Sequence, residues 1–221
     1  MLSLLSDSLS IIILLLLAPL TSAQPGYGQV SKYCAPGTAS APKGICYLQY
    51  YISATAPTFR IAIPSDASTN TAFDTILQIV SPASLGWVGF AWGGGMTLNP
   101  LTVAWPNGNT GQVTVSSRWS TGRTLPTTYS GATYKTLSQS RNSTHWTVEV
   151  VCTGCSKWNG GSVNTQGYGQ FAWALSRTAV PQPGSAGSSF SIHNNVGMIS
   201  ESLDSGKNAR DVFTGWVNKK P

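Results

Sequence analysis

The chain has 221 residues, of which 41% are hydrophobic and only 9% charged, with eight tryptophans; this excludes a disordered chain and suits one domain with a sizeable core. Thirteen Lys and Arg against seven Asp and Glu give a net charge of +6, but the basic residues are scattered and no helix or zinc module could carry base readout, which excludes a nucleic-acid reader. Abundant Gly, Ser, Thr and Asn favour a turn-rich β protein over a helical one.

Residues 1–23, MLSLLSDSLSIIILLLLAPLTSA, contain an apolar run from Ile11 to Leu17 and end in Thr21-Ser22-Ala23, so a signal peptide cleaved after Ala23 is expected. The run is too short to cross about 30 Å of hydrocarbon. The mature chain, 24–221, is therefore expected to be a single extracellular, secreted domain with its core at about 46–200 and no membrane span. Loss of Asp7 with the signal leaves thirteen basic against six acidic residues, +7, a surface that suits an acidic protein partner or an anionic metal chelate.

Short β-type runs follow: ICYLQYYIS, TFRIAIP, FDTILQIV, GWVGFAW, LTVAWP, QVTVSSRW, HWTVEVVC and GQFAWALS. Gly, Pro, Asn and Ser separate them, and no stretch sustains a period of 3.6, which predicts an all-β sandwich or barrel. Within HWTVEVVC, alternation puts Trp146, Val148, Val150 and Cys152 on one face and His145, Thr147, Glu149 and Val151 on the other. The segment PQPGSAGSS, 181–189, reads as a flexible link, and helix is expected only as short turns near Asp204 to Asp211.

The four cysteines form two local pairs, Cys34 with Cys46 and Cys152 with Cys155, and in an exported chain disulfides are expected for both. The sequon Asn142-Ser143-Thr144 marks an expected glycosylated surface loop, and it sets the neighbouring His145 on a polar face.

The stretch GWVGFAWGGGMTLN runs from large apolar residues into three glycines and Met96, one of two methionines left in the mature chain. His193, in SSFSIHNNVGM, is the only other histidine besides His145. So few histidines exclude a His₃ zinc site, a two-histidine facial triad and H-E-x-x-H. No G-x-S-x-G elbow is present, and the spacing of Asp66, Asp74, Glu149, Glu201, Asp204 and Asp211 promises no facing carboxylate pair. One imidazole and one thioether together can ligate haem iron from opposite faces, which suits single-electron transfer. The residues alone leave open the plainer reading in which Met96 fills a gap in the core and His193 is a surface side chain.

In order and spacing, WVGFAWGGGMTLNPLTVAWPNGN, SSRWSTGR, NSTHWTVEVVCTGC, GQFAWALS and FSIHNNVG resemble the cytochrome domain of fungal cellobiose dehydrogenases and its stand-alone relatives, from about Tyr50 to Gly197. The resemblance implies an antiparallel, immunoglobulin-like β-sandwich of the DOMON type that carries haem b, with Met96 and His193 as iron ligands and a Cys152–Cys155 disulfide. It makes Trp87, Phe90 and Trp92 candidates for walling the haem. Arg123 stands where relatives often carry tyrosine near a propionate, and either pairs with that carboxylate or points to water. Met198, five residues beyond His193, is too close to it to supply the opposite face of the ring. No C-x-x-C-H is present, so attachment is expected to be noncovalent.

The function implied is a secreted b-type cytochrome, an electron-transfer protein rather than a substrate-converting enzyme. It would accept electrons from a partner such as a flavin dehydrogenase and pass them to ferric iron, as a chelate, or to a secreted copper polysaccharide oxygenase. Two alternatives stand beside this reading: a carbohydrate- or ligand-binding sandwich without redox role, and a truncated cellobiose dehydrogenase, since no Gly-rich dinucleotide fingerprint occurs before Pro221.

Overall fold

The computed structural model describes residues 28–108 and 110–219; the expected signal peptide, 1–23, lies outside them. In chain order the strands are β1 (Gln29–Ala35), β2 (Ile45–Tyr51), β3 (Thr58–Pro64), β4 (Thr75–Pro82) and β5 (Trp87–Ala91). Then come β6 (Leu101–Pro106), β7 (Val113–Trp119), β8 (Thr127–Thr128), β9 (Thr133–Arg141) and β10 (His145–Thr153). The small hairpin β11 (Lys157–Trp158) and β12 (Gly161–Ser162) precedes β13 (Tyr168–Ser176) and β14 (Asn195–Ser202). A 3₁₀ turn, Asp204–Gly206, leads through β15 (Lys207–Asn208) into the helix α1 (Arg210–Val217).

Two antiparallel sheets face each other, so the chain is an all-β sandwich. The first has the order β1-β2-β3-β4-β10-β9, with β15 adding a parallel pairing to β3; the second has the order β14-β13-β5-β6-β7-β8. All eight β-type runs of the sequence fall on strands. Cys34–Cys46 joins β1 to β2, and Cys152–Cys155 closes the turn after β10.

Alternation explains what each strand buries. On β5 and the residue after it, Val88, Phe90 and Trp92 point between the sheets, where Phe90 packs on Phe59, Trp92 and Phe171 with ring centroids 5.1, 5.0 and 5.3 Å apart. Trp146, Val148, Val150 and Cys152 of β10 join the same interior. Burying each such aromatic or aliphatic side chain stabilises the fold by about 1.5–3 kcal/mol.

The outer faces are covered too. Phe213 and Trp216 of α1 lie on Tyr47, Ile76 and Val151 across the first sheet. Glu149, which alternation puts on the face shared with His145 and Thr147, is consequently buried beneath this helix: its carboxylate accepts from Ser138 Oγ (3.0 Å), Trp216 Nε1 (2.8 Å), Lys219 Nζ (2.7 Å) and the Tyr47 hydroxyl. Burial works to raise its pKa, but the hydrogen bonds from Lys219, Tyr47 and Trp216 prevail and hold it below the usual value. On the second sheet, residues 177–194 form a strap over Trp87, Leu101, Val103 and Trp105.

That strap corrects the reading of 181–189 as a flexible link. Trp105 Nε1 and Thr114 Oγ1 both donate to the Pro183 carbonyl, at 2.9 and 2.5 Å, and Ser116 Oγ donates to that of Ala186 at 2.6 Å. Proline, glycine and serine give a mobile segment when the backbone faces water; here side chains of β6 and β7 hold its carbonyls in place.

Candidate functional site

Between the strap and the outer face of the second sheet lies a cavity of about 650 Å³, within the usual range of small-ligand sites. Its floor is made of small residues. Gly89 pairs with Ala174 and Ala91 with Ala172 across β5 and β13, and all four line the cavity. Each sits on the face opposite the bulky interior residues, so the sheet offers a flat apolar surface where larger side chains would fill the space. Trp87 and Phe190 form a wall, their rings edge to face at 5.0 Å.

Met96 and His193 both line this cavity, from different connections. Met96 is half-buried in the β5–β6 loop and packs against the Trp87 cluster. The three glycines before it have separate causes. A Cβ on Gly93 would strike the Asn99 side chain; Gly94 adopts a left-handed φ of 83°; only Gly95 opens onto the cavity. The Asn99 amide donates to the carbonyls of Gly95 (3.1 Å) and Thr97 (2.8 Å), while the next carbonyl, of Leu98, accepts from Trp158 Nε1 at 3.1 Å.

His193 is exposed at the end of the strap, between anchored neighbours. Ser191 Oγ accepts from Trp87 Nε1 (3.3 Å) and meets Ser176 Oγ at 3.0 Å, and the Asn194 carbonyl oxygen of the side chain accepts from the Arg177 amide at 2.8 Å. The imidazole is therefore carried by a fixed turn.

Of the aromatic residues expected at the site, Trp87 lines the cavity and Phe90 borders it with its ring turned inward. Trp92 does not line it: alternation carries it to the interior, where its Nε1 donates to Thr102 Oγ1 at 2.9 Å. Arg123 is exposed at the mouth, and no carboxylate among the described residues lines the cavity. Met198, on β14, also lines the cavity but is 67% exposed. His145 lies outside the cavity lining, at the start of β10, where its Nδ1 meets Thr144 Oγ1 and the neighbouring Asn142 side chain accepts from Thr144 and His145 amides.

The sequence reading passed over Asn99, Arg118 and the small-residue floor. The alternation of Ala172 and Ala174 with Phe171, Trp173 and Leu175 is a signal for the floor: a strand face kept small beside one kept large. Asn99 and Arg118 act through contacts that no local pattern reveals.

An apolar slot with a flat floor, the thioethers of Met96 and the more exposed Met198, the His193 imidazole and the Arg123 guanidinium at its mouth fits a planar, metal-bearing macrocycle with anionic substituents. Comparison with known proteins agrees with that geometry. The family described as the cytochrome domain of cellobiose dehydrogenase matches residues 39–210. A pyrroloquinoline quinone-dependent pyranose dehydrogenase of Coprinopsis cinerea is 32% identical over 141 residues, covering 62% of this chain and 19% of that protein. The chain thus spans less than a fifth of the length of that curated relative. Among solved structures, the cytochrome b domain of pyranose dehydrogenase from Coprinopsis cinerea superposes with a TM-score of 0.73 at 24% identity, over 87% of this chain and 98% of that one. The cytochrome domain of Myriococcum thermophilum cellobiose dehydrogenase gives 0.72 at 26% identity, over 86% and 97%.

Proposed function

The chain belongs to the family of the cytochrome domain of cellobiose dehydrogenase, and from that premise we propose that residues 24–221 form one secreted b-type cytochrome domain in which Met96 and His193 hold a noncovalent haem b. The observation that carries this reading is the convergence of Met96 and His193, from two separately anchored loops, on one apolar cavity with a small-residue floor.

Haem bound there supplies a one-electron iron couple. Met96 and His193 would hold the iron, which suits a protein that passes single electrons and binds no substrate at the metal, and the soft, neutral thioether would favour the ferrous state. Trp87 and Phe190 keep water from the wall of the site. Arg123, at the mouth, would hold a carboxylate of the macrocycle, since an arginine can pair bidentately with an anion. The disulfide consumes Cys152 and Cys155, and Ser156 follows them, so no thioether link to haem forms.

Residues 1–23 direct export, and Asn142 carries a glycan. The electron donor is a flavin- or quinone-dependent dehydrogenase, in keeping with a relative that is itself a pyrroloquinoline quinone-dependent pyranose dehydrogenase. The acceptor is a copper polysaccharide oxygenase or a ferric chelate.

Recombinant mature protein supplied with haem should bind one equivalent, extractable by acidified organic solvent, and show a low-spin spectrum in both oxidation states. A colourless product, or a spectrum with an open iron position, would overturn the assignment.

A further inference from the structure

Arg118 is 4% exposed on β7, and four hydrogen bonds engage its guanidinium. Nε donates to Ser116 Oγ at 2.6 Å; one terminal nitrogen donates to the Pro126 carbonyl at 3.3 Å; the other donates to the carbonyls of Ala186 and Ser188, at 2.8 and 2.5 Å. The last two belong to the strap that ends in His193. The guanidinium carbon also lies 5.1 Å from the centroid of the Phe190 ring, whose residue lines the cavity.

Every partner of this cation is neutral. Four ion pairs occur among the described residues, and Arg118 is in none of them. Burying a charge without a counter-ion is costly, and strap carbonyls can be held by neutral donors, as Trp105 and Thr114 hold that of Pro183. Arginine retains its proton under all ordinary conditions. The charge therefore persists, in a place where little solvent screens it.

We propose that Arg118 is a positioning residue that clamps the His193-bearing strap and, by its permanent positive charge behind Phe190, raises the reduction potential of the iron site. The second part rests on the haem reading. A nearby positive charge disfavours the ferric form, which carries one more positive charge than the ferrous form, and a buried charge does so with little attenuation by salt. A hollow of about 330 Å³, bordered by Arg118, Leu125, Pro126 and Phe190, adjoins the cavity on this side.

The test compares full-length mature protein with Arg118→Gln and Arg118→Lys. In the holoprotein, Arg118→Gln should lower the potential enough to change the oxidised-to-reduced ratio about tenfold at fixed ambient potential, which is 59 mV for a one-electron couple, and the shift should persist in high salt. Arg118→Lys keeps the charge and should hold the potential closer to wild type. In protein freed of haem, hydrogen exchange of amides 184–194 should rise about tenfold in both variants, as expected for local opening. An unchanged potential in Arg118→Gln overturns the electrostatic role, and unchanged exchange in both variants overturns the clamp. Should Arg118→Gln fail to fold, a wild-type potential in Arg118→Lys combined with faster exchange supports the proposal, whereas a potential lost in Arg118→Lys overturns it. Failure of the wild-type protein to bind haem would overturn the functional reading instead, and the exchange measurement would still decide the clamp.

Discussion

The side-chain oxygen of Asn99 stands where a Cβ on Gly93 would lie, so the first glycine of the triplet exists to admit the amide that holds the carbonyls on either side of Met96. Removing that amide frees Gly95 and Thr97 at once. Asn99→Ala should weaken the sulfur-to-iron charge-transfer band of the oxidised protein and destabilise the fold by about 1–2 kcal/mol for the two lost hydrogen bonds. Spectroscopy and urea unfolding read the two effects separately; an intact band in a destabilised variant would deny Asn99 any part in presenting Met96.

Ligand identity is tested by three substitutions. His193→Ala should abolish stable haem binding. Met96→His should retain haem with a lower potential, because bis-imidazole ligation loses the preference of the thioether for ferrous iron. Met198→Leu should leave spectrum and potential nearly unchanged, although Met198 borders the same cavity. Survival of the sulfur band in Met96→His, or its loss in Met198→Leu, would transfer the ligand role.

Arg123 differs from Arg118 in exposure, and salt should separate them. Arg123→Ala should lower the potential at low ionic strength and lose most of that effect near 1 M salt, where the screening length is about 3 Å. Potentiometric titration at two salt concentrations measures this. A shift independent of salt would mean that Arg123 is drawn into the cavity when haem is bound.

The floor can be filled. Ala174→Phe places a ring in the cavity rather than between the sheets, so the variant should keep its β fold by circular dichroism while losing haem. Retention of a normal spectrum would show that the ring of the cofactor does not lie over β13.

Glu149 makes stability depend on acid. Burial alone would raise its pKa, but Lys219, Tyr47 and Trp216 hold the folded value below the ordinary one. A depressed carboxylate contributes stability above its unfolded pKa, about 4.3, and that contribution is lost as pH falls through the folded value. Wild-type protein should therefore hold its urea midpoint from pH 7 to about 4.3 and lose it below. Lys219→Met should cost about 3–5 kcal/mol at neutral pH, because it strands a buried charge, and that deficit should shrink as pH falls toward about 4.3, because protonating the stranded carboxylate removes its charge. Parallel acid profiles for the two proteins would count against the ion pair.

Alternation made the eight interior-facing strands legible, because each places large apolar residues against the other sheet. It did not reveal β1, β9 and β14. These strands lie at or beside sheet edges, and TYKTLSQSR of β9 buries only Leu137, so its extended form comes from pairing with β10 and not from its own pattern. Met96 and His193 stood out by rarity. Arg118 did not, since a basic residue in VTVSSRW reads as solvent-facing until a segment almost 70 residues later is laid across it. Trp92 likewise could be turned inward only once the position of the second sheet was known.

The bonds by which side chains of β6 and β7 seat the strap join residues 68 to 78 positions apart in sequence. Contacts over such separations carry a loop-closure cost that must be met before they contribute, so they form after the strands they rest on. The wall that carries His193 then closes over β6 and β7 once these are paired, and can detach while both sheets stay paired. Haem can enter a sandwich that is already folded, and the rate at which holoprotein exchanges haem should follow the opening of this one segment and not global unfolding.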